Sequence, residues 1–156
     1  MIDSAIRRPD WDTYFSGLVS TVATRATCDR GRSGCVIVRE NQLITTGYVG
    51  SPPGFPHCDA IGHEWSKDGK HCIRTLHAEQ NAIIQASRLG VPLQYATVYC
   101  TMVPCATCAM MLVSLRIDRV VAQHPYPSDK EHRGAAILGY SGVGLDILST
   151  EELYVP

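Results

Sequence analysis

The 156-residue sequence has no apolar run approaching the ~20 residues that a bilayer-spanning helix needs, so no membrane contact is expected. Met1 to Asp12 carries two arginines with no apolar stretch behind them, so no secretory signal is read there and the cytoplasm is the expected compartment. An excess of positive charge is also missing: 14 Lys and Arg stand against 15 Asp and Glu, a formal net charge of -1. Binding to a long nucleic acid asks for a basic face, so no nucleic-acid polymer is expected as a partner. A small substrate with one phosphate needs only one or two local cations. Internal repeats and low-complexity tracts are absent as well. What remains, 45% apolar and 19% charged residues, is the composition of an ordinary soluble globular protein, and the length fits one domain over residues 1–156.

Cysteine is not scarce. Seven cysteines accompany six histidines, and several of them lie close together in the chain. In a reducing compartment disulfides rarely persist, so clustered cysteines point to metal binding.

Hydrophobic periodicity places a helix after Asp10, which can cap it, with Trp11, Phe15, Leu18, Val19, Val22, Ala23 and Ala26 at helical spacing. Residues 34–39 and 43–48 read as strands of a hairpin turning at Asn41-Gln42. Residues 49–75 are broken by Gly50, Pro52, Pro53, Gly54 and Pro56. A structureless stretch of that length is uncommon unless it is functional or tied down. A helix is predicted over 76–89, stopped by Gly90 with Pro92 beyond. A strand over 96–101 follows, then a helix over 105–116 with Pro104 at its opening. A strand over 119–123, a weaker helix from about Glu131 to Leu138 and a short strand over 145–148 complete the chain. The order implies an α/β fold: a mixed sheet covered by helices on both faces, with the strands before and after the 105–116 helix parallel through a right-handed crossover.

Three short pieces carry chemistry: His77-Ala78-Glu79, Pro104-Cys105 and Cys108. Cys105 and Cys108 fall on one face of a first helical turn, where the helix dipole favours thiolate. With His77 they make a Cys₂His set that gives zinc three ligands and leaves the fourth position for water, whose pKa the metal lowers to about 7. Glu79 is then the candidate proton carrier. Positions i and i+2 do not face each other within a helix, so the metal must lie off the helix end. His-x-Glu followed by Pro-Cys-x-x-Cys is the signature of zinc nucleobase deaminases, in which the glutamate is not a ligand. A Cys-x-x-Cys alone is often a structural zinc corner or a redox pair.

From about Gly34 to Gln123 the sequence resembles the cytidine deaminase superfamily, which implies a three-layer α-β-α fold with a mixed five-stranded sheet. The longer pattern GYVGSPPGFPHC…HCIRTLHAEQNAI…YCTMVPCATC, within Ala26 to about Gln123, is similar to the deoxycytidylate (dCMP) deaminase family. That resemblance implies hydrolysis of dCMP to dUMP and ammonia, supplying dUMP for thymidylate synthesis. It also implies a homo-oligomer, commonly a hexamer, and nucleotide effectors, dCTP activating and dTTP inhibiting. The turn residues Val49, Gly50 and Ser51 become candidates for substrate contact. Family members often carry asparagine where Val49 stands, and valine has no side-chain hydrogen bond to offer there. Arg30, two positions after Cys28, matches a basic residue of the family and is either a phosphate contact or an ordinary surface arginine. Tyr126 corresponds to a residue at the site's rim and would stack on the base, bond the phosphate or only pack its loop. Asn81 either meets an effector or buttresses the neighbouring loop.

The stretch 49–75 and its surroundings hold more ligands than one catalytic zinc can use: Cys28 at the end of the first helix, His57, Cys58, His63, His71 and Cys72. Family members often carry a structural zinc here, frequently with cysteine where His63 stands. The expected set is Cys28, Cys58, His63 and Cys72, with His71 as substitute, closing a tetrahedral site that staples the loop. Cys35 and Cys100 fall inside strands and read as small buried hydrophobes. Two rival readings remain open: a zinc deaminase for cytidine, guanine or tRNA adenosine, and a non-catalytic zinc-binding interaction module. A tRNA enzyme would want a basic surface, a nucleoside enzyme has no use for a phosphate cation, and a silent module has no need of Glu79.

Overall fold

A computed structural model describes residues 8–126 and 132–149. Five strands form one mixed sheet in the order β2-β1-β3-β4-β5, with β1 Gly34–Arg39, β2 Gln42–Tyr48, β3 Thr97–Met102, β4 Arg119–His124 and β5 Gly144–Ile147. The hairpin β1–β2 is antiparallel, β1 pairs antiparallel with β3, and β3, β4 and β5 run parallel. The helices are α1 Trp11–Ala23, the single turn α2 Cys58–Ile61, α3 Ala78–Leu89, α4 Ala106–Ser114 and α5 Arg133–Tyr140. No helix among the described residues is long and apolar enough to cross a membrane.

Strand alternation decides which helix covers which face. Cys35, Ile37, Val98, Cys100, Val120 and Ala122 point to one side, where they pack with Ala82 and Ala86 of α3, Leu112 of α4 and Leu138 of α5. Val36, Val38, Tyr99 and Val121 point to the other, where Phe15 and Val19 of α1 cover them. The result is the expected α-β-α sandwich. Cys35 and Cys100, paired across β1 and β3, are fully within the core.

Several boundaries differ from the sequence reading for local reasons. The hairpin turns at Glu40-Asn41, both with positive φ (52° and 58°), and Gln42 already pairs with Arg39. A two-residue loop with left-handed backbone matches the twist of the strands better than a later turn would. Pro104 precedes the α4 cap instead of opening the helix, because Cys105 takes the extended N-cap conformation (φ -63°, ψ 169°). The first helix ends at Ala23, so Cys28 does not end it but begins a 3₁₀ turn over Asp29–Gly31. The last helix starts two residues later than expected, and Glu131 lies outside the described residues.

One close approach fixes α3 on the sheet. A Cβ at Gly47 of β2 would collide with the Ala78 carbonyl and the Ala82 amide of α3. The missing side chain lets the N-terminal turn of α3 sit directly on the strand, which in turn places His77.

On the opposite face Arg119 joins three elements. Its Nη1 and Nη2 donate to the two Asp12 oxygens at 2.9 and 2.8 Å, and Nε donates to Asp146 at 2.7 Å. Tyr99 donates to Asp12 as well, at 2.8 Å. The hydrogen bonds from Arg119 hold the Asp12 carboxyl below its ordinary value, and burial with the Asp12 bond raises the Tyr99 phenol. A depressed carboxyl contributes stability that is complete above the unfolded-state value of about 3.9 and is lost as pH falls through the folded one. Asp12→Asn should therefore lower stability at pH 7 and flatten its further decline below about pH 4; denaturant titrations at pH 7 and pH 3 check this, with a smaller difference between the two for the variant.

Candidate metal and catalytic site

His77 and Cys105 occupy equivalent positions: each is the extended N-cap residue of its helix. Cys108 is three residues into α4, on the same face as Cys105. The two helix starts meet above the sheet, with Cys105 Sγ and Cys108 Sγ each 3.5 Å from His77 Nδ1. All three ligand atoms lie within 4.8 Å of one another. The extended backbone at His77 is what lets Glu79 reach the same point, since the two are not neighbours on a regular helix. Gln80 locks this cap by accepting a hydrogen bond from the His77 amide at 2.9 Å. Its role was readable as the glutamine three residues after a cap position.

Electrostatics within the cluster are tightly coupled. The Cys105 thiol is lowered to about 4, first by its hydrogen bond with Cys108 and, against the cost of burial, by His77. The Cys108 thiol is pushed up, first by the Cys105 sulfur and then by burial. Both cysteines were expected as thiolates, and two bare thiolates in contact repel. A cation between them removes that repulsion. The imidazole of His77 is raised chiefly by Cys105. Glu79 is buried, with 8% exposure, and burial raises its carboxyl against the pull of its own backbone amide and of His77. Two sulfurs and one imidazole nitrogen are the donor set of an open tetrahedral zinc site.

A second cluster brings together Cys28, Cys58, His63 and Cys72, again within 4.8 Å. Cys28 Sγ is 3.5 Å from His63 Nδ1 and Cys58 Sγ is 3.5 Å from Cys72 Sγ. Burial and the bond with Cys72 push Cys58 up to about 12. Cys72, despite burial, is brought down to about 6 by the backbone amides of Arg74 and Glu64. His63 Nε2 lies 3.2 Å from Asp29 Oδ1. A carboxylate there favours the hydrogen on Nε2 and leaves Nδ1 facing the sulfurs. His71, the expected substitute, is not in the cluster: its backbone pairs with Ser66. Three sulfurs and one imidazole nitrogen make the four-ligand set of a closed tetrahedral site.

Between the clusters opens a cavity of about 360 Å³. His77, Glu79 and Thr101 line its floor, and Cys28, His71 and Cys72 line its outer wall. Arg30, Val49 and Tyr126 reach it, and Arg30 is the one Arg or Lys among its described lining residues. Arg32 is engaged elsewhere, with the Ala26 carbonyl at 2.6 Å and Asp59 at 3.5 Å. Gly50 and Ser51, expected to touch substrate, do not line the cavity. Gly50 bridges to Leu76, and Ser51 bonds Thr27 and the Pro56 carbonyl, so both anchor the insert. Val49 makes its hydrogen bonds through the backbone, to Ser33 and Thr27. The Asn81 amide donates to the carbonyls of Tyr48 at 2.8 Å and Gly50 at 3.3 Å, the bonds that the buttressing alternative asks for. Asp29 and Trp65 beside the second cluster were missed; no spacing in the sequence marks them.

Comparison with known proteins agrees with this geometry. Residues 9–124 match the family described as the cytidine and deoxycytidylate deaminase zinc-binding region. Deoxycytidylate deaminase of Saccharomyces cerevisiae is 42% identical over 130 residues, covering 81% of this chain but 41% of the yeast protein. The chain thus spans less than half the length of that relative. Deoxycytidylate deaminase of Mycobacterium phage D29 is 33% identical over 78% of this chain and 98% of its own. The dCMP deaminase of cyanophage S-TIM5, solved in complex with dCMP and dUMP, superposes with a TM-score of 0.78 at 22% identity over 92% of this chain and all of that one, a likeness of fold. With the profile match spanning most of its length, the chain belongs to the cytidine and deoxycytidylate deaminase zinc-binding family.

Proposed function

We propose that the chain catalyses zinc-dependent hydrolytic deamination of dCMP to dUMP and ammonia. The observation that carries this is the meeting of His77 Nδ1 with the Cys105 and Cys108 sulfurs beside the buried carboxyl of Glu79. Zinc held by these three residues supplies a Lewis acid that brings the ionisation of water to about neutral pH. Glu79 would take one proton of the attacking water and give it to the ring nitrogen, where it stays, then carry the second, from the newly added hydroxyl, to the amino group as the carbon–nitrogen bond breaks and ammonia leaves. Its burial suits this role, because a raised carboxyl holds a proton between two transfers more readily than a solvated one. Arg30 meets the phosphate, Val49 lies by the sugar and Tyr126 closes the rim. The names of the yeast and phage relatives support a nucleotide substrate.

The same reading gives Cys28, Cys58, His63 and Cys72 a second, structural zinc that staples the 49–75 insert onto a single domain. It also makes the protein a cytoplasmic homo-oligomer, a hexamer as in the resembling family, supplying dUMP for thymidylate synthesis under activation by dCTP and inhibition by dTTP.

Glu79→Gln keeps the size of the side chain and loses its base. Ammonia release should fall by about 10² to 10⁴ while zinc content stays that of the parent protein; near-parental turnover in that variant refutes the proton-carrier role. Metal analysis of protein purified without chelator should find two zinc ions per chain, and a single one removes the structural site. Finally, dCMP should be deaminated with a higher kcat/KM than deoxycytidine, and the reverse order overturns the nucleotide assignment.

A further inference from the structure

Arg30 does not stand alone in the cavity wall. Its guanidinium carbon lies 5.0 Å from the centroid of the Trp65 ring. That ring lies 5.1 Å from the His63 imidazole, tilted by 60°. The backbone of Trp65 bridges Cys72. His63 Nδ1 faces Cys28, and Cys28 is the cap of the 3₁₀ turn that carries Arg30. Arg30 is therefore attached to the second cluster twice, through its own backbone to Cys28 and through Trp65 to His63 and Cys72. Trp65 itself is 48% exposed and does not line the cavity.

A free arginine loses rotamer freedom when it grips a phosphate. An indole face that already holds the guanidinium takes part of that loss before the ligand arrives. We propose that Trp65 is a positioning residue for the cavity's anion site: it holds Arg30 against the Cys28, Cys58, His63 and Cys72 cluster, and so sets the affinity for the phosphate of a nucleotide without entering the chemistry. This rests on Arg30 being the phosphate contact. The dependence on phosphate follows from the geometry, since the Trp65 ring meets the guanidinium of Arg30, the one Arg or Lys among the cavity's described lining residues.

Kinetics of Trp65→Ala, Trp65→Phe and Arg30→Ala with dCMP and deoxycytidine, together with zinc content and equilibrium binding of dUMP, test it. Trp65→Ala should raise KM for dCMP and weaken dUMP about two- to fivefold, the range expected for an exposed cation–π contact. Its kcat, its zinc content and its kcat/KM for deoxycytidine should stay at parental values. Trp65→Phe, which keeps a ring face, should lose less. Arg30→Ala should show a larger loss confined to the phosphorylated ligands. If Arg30→Ala raises KM for dCMP and Trp65→Ala does not, the proposal fails while the role of Arg30 stands. If Arg30→Ala has no effect, that role fails and takes the proposal with it. Equal losses on dCMP and deoxycytidine, or lost zinc, in Trp65→Ala assign the indole a merely structural part and overturn the proposal.

Discussion

Everything at the candidate metal site depends on two helices beginning at the same place. His77 and Cys105 are cap residues with extended backbones, so their side chains project forward off the helix ends. Because β2 and β3 both run antiparallel to β1, the chain leaves them at the same end of the sheet, where α3 and α4 begin, and the bare Gly47 lets α3 settle against β2. Two positive helix ends then face one point, which suits sulfur anions there. Moving either cap by one residue would rotate its side chain by about 100° and separate the ligand atoms.

The chemistry also needs a dry carboxyl beside a wet opening. Glu79 gains its dryness from Ala78, Ala82, Cys35 and Cys100, which fill the space between α3 and the sheet with small apolar groups. The cavity reaches it from the other side, between Thr101 and the insert. Thus Glu79 is buried and faces the pocket at once, because it lies in the first turn of a helix that starts at the core's edge.

Much of this was legible in the sequence. Spacing gave the two catalytic motifs and both helices that bear them, because apolar periodicity and the signals at Gly90 and Pro92 are local. Cys28, Cys58, His63 and Cys72, grouped in the sequence reading as a possible metal set, come together in the structure. Less local features were not readable. The turn at Glu40-Asn41 depends on strand twist, the offset of Pro104 on the cap conformation of Cys105, and the anchoring roles of Gly50, Ser51 and Asn81 on where the insert folds back. Trp65 and Asp29 matter only through what they touch, and a linear pattern carries no record of touch.

The insert adds no residue to either apolar cluster, although its residues form the outer wall of the cavity. One side of the pocket is therefore backed by the sheet and keeps its shape by packing, and the other is hung from hydrogen bonds and sulfur and imidazole groups. Substitutions on the hung side do not disturb the packed interior. A change in this strap would thus alter what the pocket admits and leave the Glu79 end, packed against the sheet, in place.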